Sequence, residues 1–127
     1  MKKQIETSNA PAAIGTYSQA IKTGNTVYIS GQIPLNPKTM KLMIADFPQQ
    51  VKQVFENLKA IAIAAGGDLS HIVKLTVYLQ DMNHFPIVNE MMETYFEKPY
   101  PARVTVEVSR LPKDVGVEMD AVMVVDV

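Results

Sequence analysis

The sequence predicts an α+β fold: one mixed sheet covered on one face by two helices, in the order β-β-β-α-β-α-β-β. Three observations carry this. Two segments repeat apolar residues at intervals of three and four, the spacing of a helix with a single buried stripe. Several short runs alternate apolar and polar residues with period two, as a strand with one apolar face does. Steps rich in Gly, Pro and Asn separate these segments. Two helices cover one face of one sheet, so the opposite face needs its own explanation.

Taken in order, Lys2 to Thr7 is a short edge strand, and Ser8 to Thr16, with Asn9, Pro11 and Gly15, is a loop. Ser18 to Lys22 and Thr26 to Ser30 flank Thr23-Gly24-Asn25. Gly and Asn tolerate positive φ, so this is a hairpin. Pro34, Asn36 and Pro37 favour extended chain and turn up to Lys41. The first helix carries Val51, Val54, Phe55, Leu58, Ile61, Ala62 and Ala65 on one stripe, with Gln50, Lys52, Gln53, Glu56, Asn57 and Lys59 on the other side. Asp46 caps it, Pro48 suits its first turn and Gly66-Gly67 ends it.

Ile72 to Gln80 is a strand in which Val73, Leu75, Val77 and Leu79 face one way and Lys74, Thr76 and Tyr78 the other. The second helix runs from about Phe85 to Glu97, with Phe85, Val88, Met92, Tyr95 and Phe96 as its stripe. Asp81 or Asn83 is its expected cap, Pro86 fits its first turn, and Lys98-Pro99 stops it. Val104, Val106 and Val108, then Val115, Val117, Met119 and Ala121, mark two last strands around a turn containing Pro112, Asp114 and Gly116. The simplest arrangement is an antiparallel pair whose polar face carries Arg103, Thr105, Glu107, Glu118 and Asp120. Val122 to Val125 are apolar on both sides, which asks for burial on both faces, and in a two-layer fold the second cover comes from another subunit.

At 127 residues the chain is read as a single domain, 1–127. Twelve Lys and Arg against 13 Asp and Glu give a net charge of −1, with no basic block, which argues against nucleic acid as a partner. There is no cysteine, which removes disulfides, thiolate nucleophiles and Cys-ligated zinc. His71 and His84 are the only histidines and have no metal-ligand spacing. No glycine-rich phosphate loop is present, and no metal or organic cofactor is expected. MKKQIETSNAP lacks the apolar core of a signal peptide, and no apolar run approaches the ~20 residues of a spanning helix, so the expected location is the cytoplasm, without membrane contact.

Arg103 is the strongest candidate for chemistry. A guanidinium fork binds a carboxylate through two parallel hydrogen bonds, and here the anion is either a protein group, Glu107 or Glu118, or a ligand. Glu118 is either a surface carboxylate paired with Arg103 or Lys113, or, in a partly dry cleft, a group with a raised pKa suited to handling a proton.

The segments SNAPAAIGTYSQAI, VYISGQIPLNPKT, ENLKAIAIAAG, VKLTVYLQDMNHF, VNEMMETYF and PARVTVEVSRLPKDVGVEMDAV follow one another across nearly the whole chain. In that order they resemble the RidA/YjgF family, the reactive intermediate imine deaminases. The resemblance implies a chorismate-mutase-like two-layer fold and a homotrimer with ligand clefts between subunits. It implies hydrolysis of enamines and imines, such as 2-aminoacrylate and 2-aminocrotonate, to 2-keto acids and ammonia. Arg103 matches the arginine of the family's PAR segment, which grips the substrate carboxylate, and Glu118 matches the site glutamate that manages the water. Tyr17, Ser30, Gly31 and Asn89 match positions that shape the pocket. Each of Tyr17, Ser30 and Asn89 also has a plain structural alternative: loop anchor, strand residue and helix-packing amide. Two positions depart from the pattern. Thr105 stands where the family often has cysteine; it keeps a hydroxyl and the backbone N–H and is counted with the substrate-binding positions, but a thiolate mechanism is out. Thr16 replaces the usual proline before Tyr17, which loosens that loop. Three other functions stay open at this point: a non-catalytic trimeric sensor of 2-keto acids, a ribonuclease or translation inhibitor, and a chaperone.

Overall fold

A computed structural model describes residues 1–125 of the chain; Asp126 and Val127, the end of the expected domain, lie outside the described residues. Six strands form one sheet: β1 (Lys2–Ile5), β2 (Ala20–Thr23), β3 (Thr26–Gln32), β4 (Ile72–Leu79), β5 (Ala102–Glu107) and β6 (Val117–Val124). Two helices, α1 (Phe47–Ala64) and α2 (Phe85–Tyr95), complete the predicted order β-β-β-α-β-α-β-β. Across the sheet the strands run β1-β2-β3-β6-β4-β5, all antiparallel except the β4–β5 pair.

The local signals act as expected at most boundaries. Gly24 takes positive φ in the turn between β2 and β3. Asp46 accepts a hydrogen bond from the Gln49 amide at 2.9 Å and caps α1, and Gly66 takes positive φ just beyond the helix. All seven apolar stripe residues of α1 are buried, and with Leu75, Val77, Leu79, Val117, Met119, Ala121 and Met123 they form the core between α1 and the sheet. Phe55 stacks with Tyr95 and meets Phe96 edge-on, which fastens α1 to α2.

Five expectations need correction. First, the last two strands are not a hairpin: β4 lies between β5 and β6. Leu75, Val77 and Leu79 are fully buried, and a strand this apolar gains most by pairing on both edges. The chain from β4 through α2 to β5 is long enough for a parallel crossover, and it places β5 on the outer edge. Leu111 and Val115 are buried and anchor the connector that then carries the chain across to β6.

Second, Arg103, Thr105 and Glu107 do not share a face with Glu118 and Asp120. Arg103 pairs with Leu75 and Thr105 with Val77, so these side chains face the helices. Glu118 pairs with Tyr78 and Asp120 with Thr76, so these face away from the helices. The valines of β5 therefore point to the open face, where Val104 is 43% and Val106 37% exposed.

Third, a register shift between Ile72 and Lys74 buries Ile72 and turns Val73 outward. Fourth, Asn57 lies on the buried side of α1, not its polar side. Its amide donates to the carbonyls of Ile33 and Leu35 and its Oδ1 accepts from Gln53, so a fully satisfied polar group ties the 33–35 segment to α1. Fifth, neither Asp81 nor Asn83 caps α2 by bonding into the helix itself. Asp81 caps the 3-10 turn Met82–His84 that leads into it.

Candidate active site

Two clefts hold the residues singled out in the sequence, and they lie on opposite sides of the sheet. The first, of about 430 Å³, is lined by Tyr17, Ser30, Gly31 and Glu118, with Ile14, Ile33, Pro112 and Lys113 around them. The second, of about 250 Å³, is lined by Asn89 and Arg103 with Met92, Glu93, Tyr100 and Pro101.

The first cleft is built by a bulge. Ile29 pairs with Ala121 but Gln32 with Met119, so β3 spends one extra residue around Ser30-Gly31. The bulge seats the Gly31 α-carbon against the Glu118 carboxylate. A β-carbon at Gly31 would collide with Glu118 Oε2, so any other residue here displaces that carboxylate. Ser30 serves the loop as well as the cleft: its hydroxyl donates to the Ser18 carbonyl and its amide to that of Gln19. Tyr17 is half-exposed at the rim. Glu118 has no ion-pair partner among the described residues, neither Arg103 nor Lys113. Burial, and secondarily the charge of Asp120, push its pKa above the ordinary value of 4.5. Asp120 in turn accepts a hydrogen bond at 2.9 Å from the Tyr78 hydroxyl on the same open face, which raises the Tyr78 pKa.

A residue that sequence reasoning passed over holds the Tyr17 loop. Gln19 is buried; its Oε1 accepts from the Thr7 amide at 2.7 Å, and its Nε2 reaches the carbonyls of Thr7, Ala10 and Pro11. Gln19→Leu strands these backbone groups and is expected to cost about 2–4 kcal/mol, read as a lower urea midpoint together with faster proteolysis between residues 7 and 17. Unchanged stability would mean that water replaces the amide without penalty. Within the predicted strand Ser18 to Lys22 a glutamine reads as an ordinary polar position, and only the loop carbonyls it meets in the fold mark it as buried.

In the second cleft Arg103 has neither of its two expected protein partners. Glu107 accepts from the Met82 amide instead, at 2.8 Å, and Glu118 is on the other face. Arg103 Nη1 donates to Asn89 Oδ1 at 2.9 Å and approaches Met92 Sδ at 3.3 Å, and its Cζ lies 4.8 Å from the centre of the Phe85 ring. Among the described residues no carboxylate lies within ion-pair distance of it. Thr105, two residues on along the same face, has a buried hydroxyl oxygen with no hydrogen-bond partner among the described residues. Thr105→Val exchanges that idle hydroxyl for a methyl of the same shape, so the melting temperature should hold or rise, by about 1 kcal/mol of added stability at most. A loss of more than that would show that the hydroxyl is paired in solution.

The structure thus brings Tyr17, Ser30, Gly31 and Glu118 together and, separately, Asn89 and Arg103, while Thr105 shares the Arg103 face of β5 without lining that cleft. It does not bring the two groups together within one chain. Among the described residues there is no cluster of side chains suited to a metal ion, and no helix is long and apolar enough to cross a membrane.

Residues 7–125 match the family model described as Endoribonuclease L-PSP. A RutC family protein of Pyrococcus horikoshii is 55% identical over 122 residues, 96% of this chain and 97% of that protein. The protein named 2-iminobutanoate/2-iminopropanoate deaminase in Escherichia coli is 49% identical over 127 residues, 98% of each chain. Among solved structures, RidA from the Antarctic bacterium Psychrobacter sp. superposes with a TM-score of 0.94 at 50% identity, covering 97% of this chain and 99% of that one. With the motifs in family order, the sheet-and-helix architecture and these matches along nearly its whole length, the chain belongs to the RidA/YjgF family.

Proposed function

We propose that this protein hydrolyses enamine and imine intermediates such as 2-aminoacrylate and 2-aminocrotonate to 2-keto acids and ammonia, in a site shared between subunits of a homotrimer. The observation that carries the reading is the state of Arg103. It opens into a cleft where, among the described residues, its charge is met only by an amide oxygen, a thioether and an aromatic face, which leaves a full positive charge for an anionic ligand. The deaminase name carried by relatives across their full length points to the same chemistry.

The opposite placement of Arg103 and Glu118 supports the shared site. Tyr28 is 53% exposed on the open face, with Val104, Val106 and Val124 also bare, an apolar surface suited to a second copy. A neighbour docked there carries its β5 edge, and with it Arg103, toward the Glu118 cleft. Arg103 then holds the substrate carboxylate in its fork. Glu118, with its raised pKa, takes a proton from water as the oxygen adds to the imine carbon and returns it to the imine nitrogen. In the resulting carbinolamine the hydroxyl passes its proton, again by way of Glu118, to the nitrogen as the C–N bond breaks; the nitrogen leaves as ammonia and the keto acid remains. Tyr17, Ile14 and Ile33 wall the cleft and hold the small substrate in place.

The test is the release of ammonia and keto acid from imines generated in situ by an amino-acid oxidase. Acceleration by the purified protein is expected. Saturable 2-keto acid binding without turnover would instead favour the sensor, for which the Arg103 cleft alone suffices. The net charge of −1 and the absence of a histidine pair weigh against the ribonuclease that the family model is named for.

A further inference from the structure

We infer that Phe85 is a positioning residue for Arg103, holding the guanidinium plane so that its unoccupied edge meets the ligand carboxylate. Phe85, Asn89 and Met92 are spaced by four and then three along α2, which puts them in one row on the helix. That row faces β5, and Arg103 lies along it. Its Cζ sits 4.8 Å from the Phe85 ring centre, within the range where the ring face attracts a cation. Both side-chain hydrogen bonds of the guanidinium, to Asn89 Oδ1 and Met92 Sδ, use Nη1. The Nη2 and Nε donors therefore have no partner among the described residues, and they are the pair that forms a fork. The ring face fixes the plane and Asn89 fixes the rotation within it. Neither brings a negative charge, so the arginine is oriented without being neutralised. A carboxylate in place of Phe85 or Asn89 would orient it equally well but compete with the ligand.

Phe85 also packs, partly buried, against the core, so the test must separate packing from positioning. Phe85→Leu keeps an apolar side chain and loses the π face; Phe85→Tyr keeps the face. This inference rests on the ligand-carboxylate role of Arg103, so the first readout is direct binding of 2-oxobutanoate by calorimetry, beside its uncharged amide. Phe85→Leu is expected to weaken 2-oxobutanoate binding about tenfold and leave the amide within about twofold, while Phe85→Tyr restores the acid to within about threefold. With imine substrate, KM should rise by a similar factor and kcat change little. The second readout needs no ligand. The Arg103 Nε proton should show an upfield ring-current shift in NMR that Phe85→Leu removes and Phe85→Tyr retains. Equal effects of Leu and Tyr, or parent-like binding by Phe85→Leu, would overturn the inference in favour of packing. If the parent neither binds 2-oxobutanoate nor turns over imine, the functional reading of the site fails, and the Nε signal alone decides whether Phe85 holds the guanidinium.

Discussion

Arg103→Ala should lower kcat/KM for 2-aminocrotonate-derived imine by about 10²- to 10⁴-fold while leaving the fold nearly as stable as before. A fork on a carboxylate makes two charge-assisted hydrogen bonds, each worth about 1.5–3 kcal/mol, and truncation removes both. The stability half of the expectation follows from the neutral cradle. Removing Arg103 strands no carboxylate among the described residues. It frees Asn89 Oδ1, on an exposed residue, to water, so a change of less than about 1 kcal/mol is expected. Arg103→Lys keeps the charge but not the planar fork, and should recover only part of the rate. Steady-state kinetics with thermal melts on the same preparations check both halves. A large loss of stability in Arg103→Ala would mean that the arginine is structural.

The second large effect belongs to Glu118. Glu118→Gln should reduce kcat by about 10²- to 10⁴-fold, the usual contribution of a positioned proton acceptor. In the parent, activity should fall on the acid side at a pH above 4.5, because protonation of a carboxylate whose pKa is raised by burial removes the base; in Glu118→Gln that limb should vanish from the residual rate. Stability moves oppositely. A carboxyl group whose folded pKa lies above its unfolded value binds the proton more tightly when folded. Its contribution is therefore most favourable below 4.5 and declines as pH rises through the folded pKa. Glu118→Gln should accordingly be the more stable protein at neutral pH, with the advantage closing as pH drops below 4.5. Gly31→Ala offers a check that leaves the carboxylate in the chain: the added carbon meets Oε2, so activity should fall although Glu118 is intact. An unshifted acid limb in the parent would contradict this role.

Much of the fold was legible because periodicity reports which residues of a segment share a face. The α1 stripe, the β6 alternation, the Asp46 cap and the Gly24 turn all stand where the sequence puts them. What periodicity does not report is which side of the sheet that face meets. β5 reads as an apolar row of valines against a polar row. On an edge strand beside α2, the polar row with Arg103 turned toward the helices and the valines toward the open face. Strand order was hidden for a related reason. Nearness in sequence favours a β5–β6 pair, whereas the burial demand of Leu75, Val77 and Leu79 puts β4 between them. The buried amides of Gln19 and Asn57 escaped because a polar residue in an amphipathic pattern reads as exposed, and only tertiary contacts supply the carbonyls that satisfy them. The site residues themselves came from motif resemblance. The structure adds that Arg103 and Glu118 occupy opposite faces, a separation invisible in one dimension.

That separation makes the central claim testable by mixing. Arg103→Ala and Glu118→Ala chains, each inactive alone, are unfolded together, refolded in equal amounts and assayed for imine hydrolysis, with subunit exchange verified by mass spectrometry. If each site takes Arg103 from one copy and Glu118 from its neighbour, random assembly leaves about one quarter of the sites intact, and the mixture should regain about that share of wild-type activity. Mixed oligomers that stay as inactive as their parents would contradict a site built between copies.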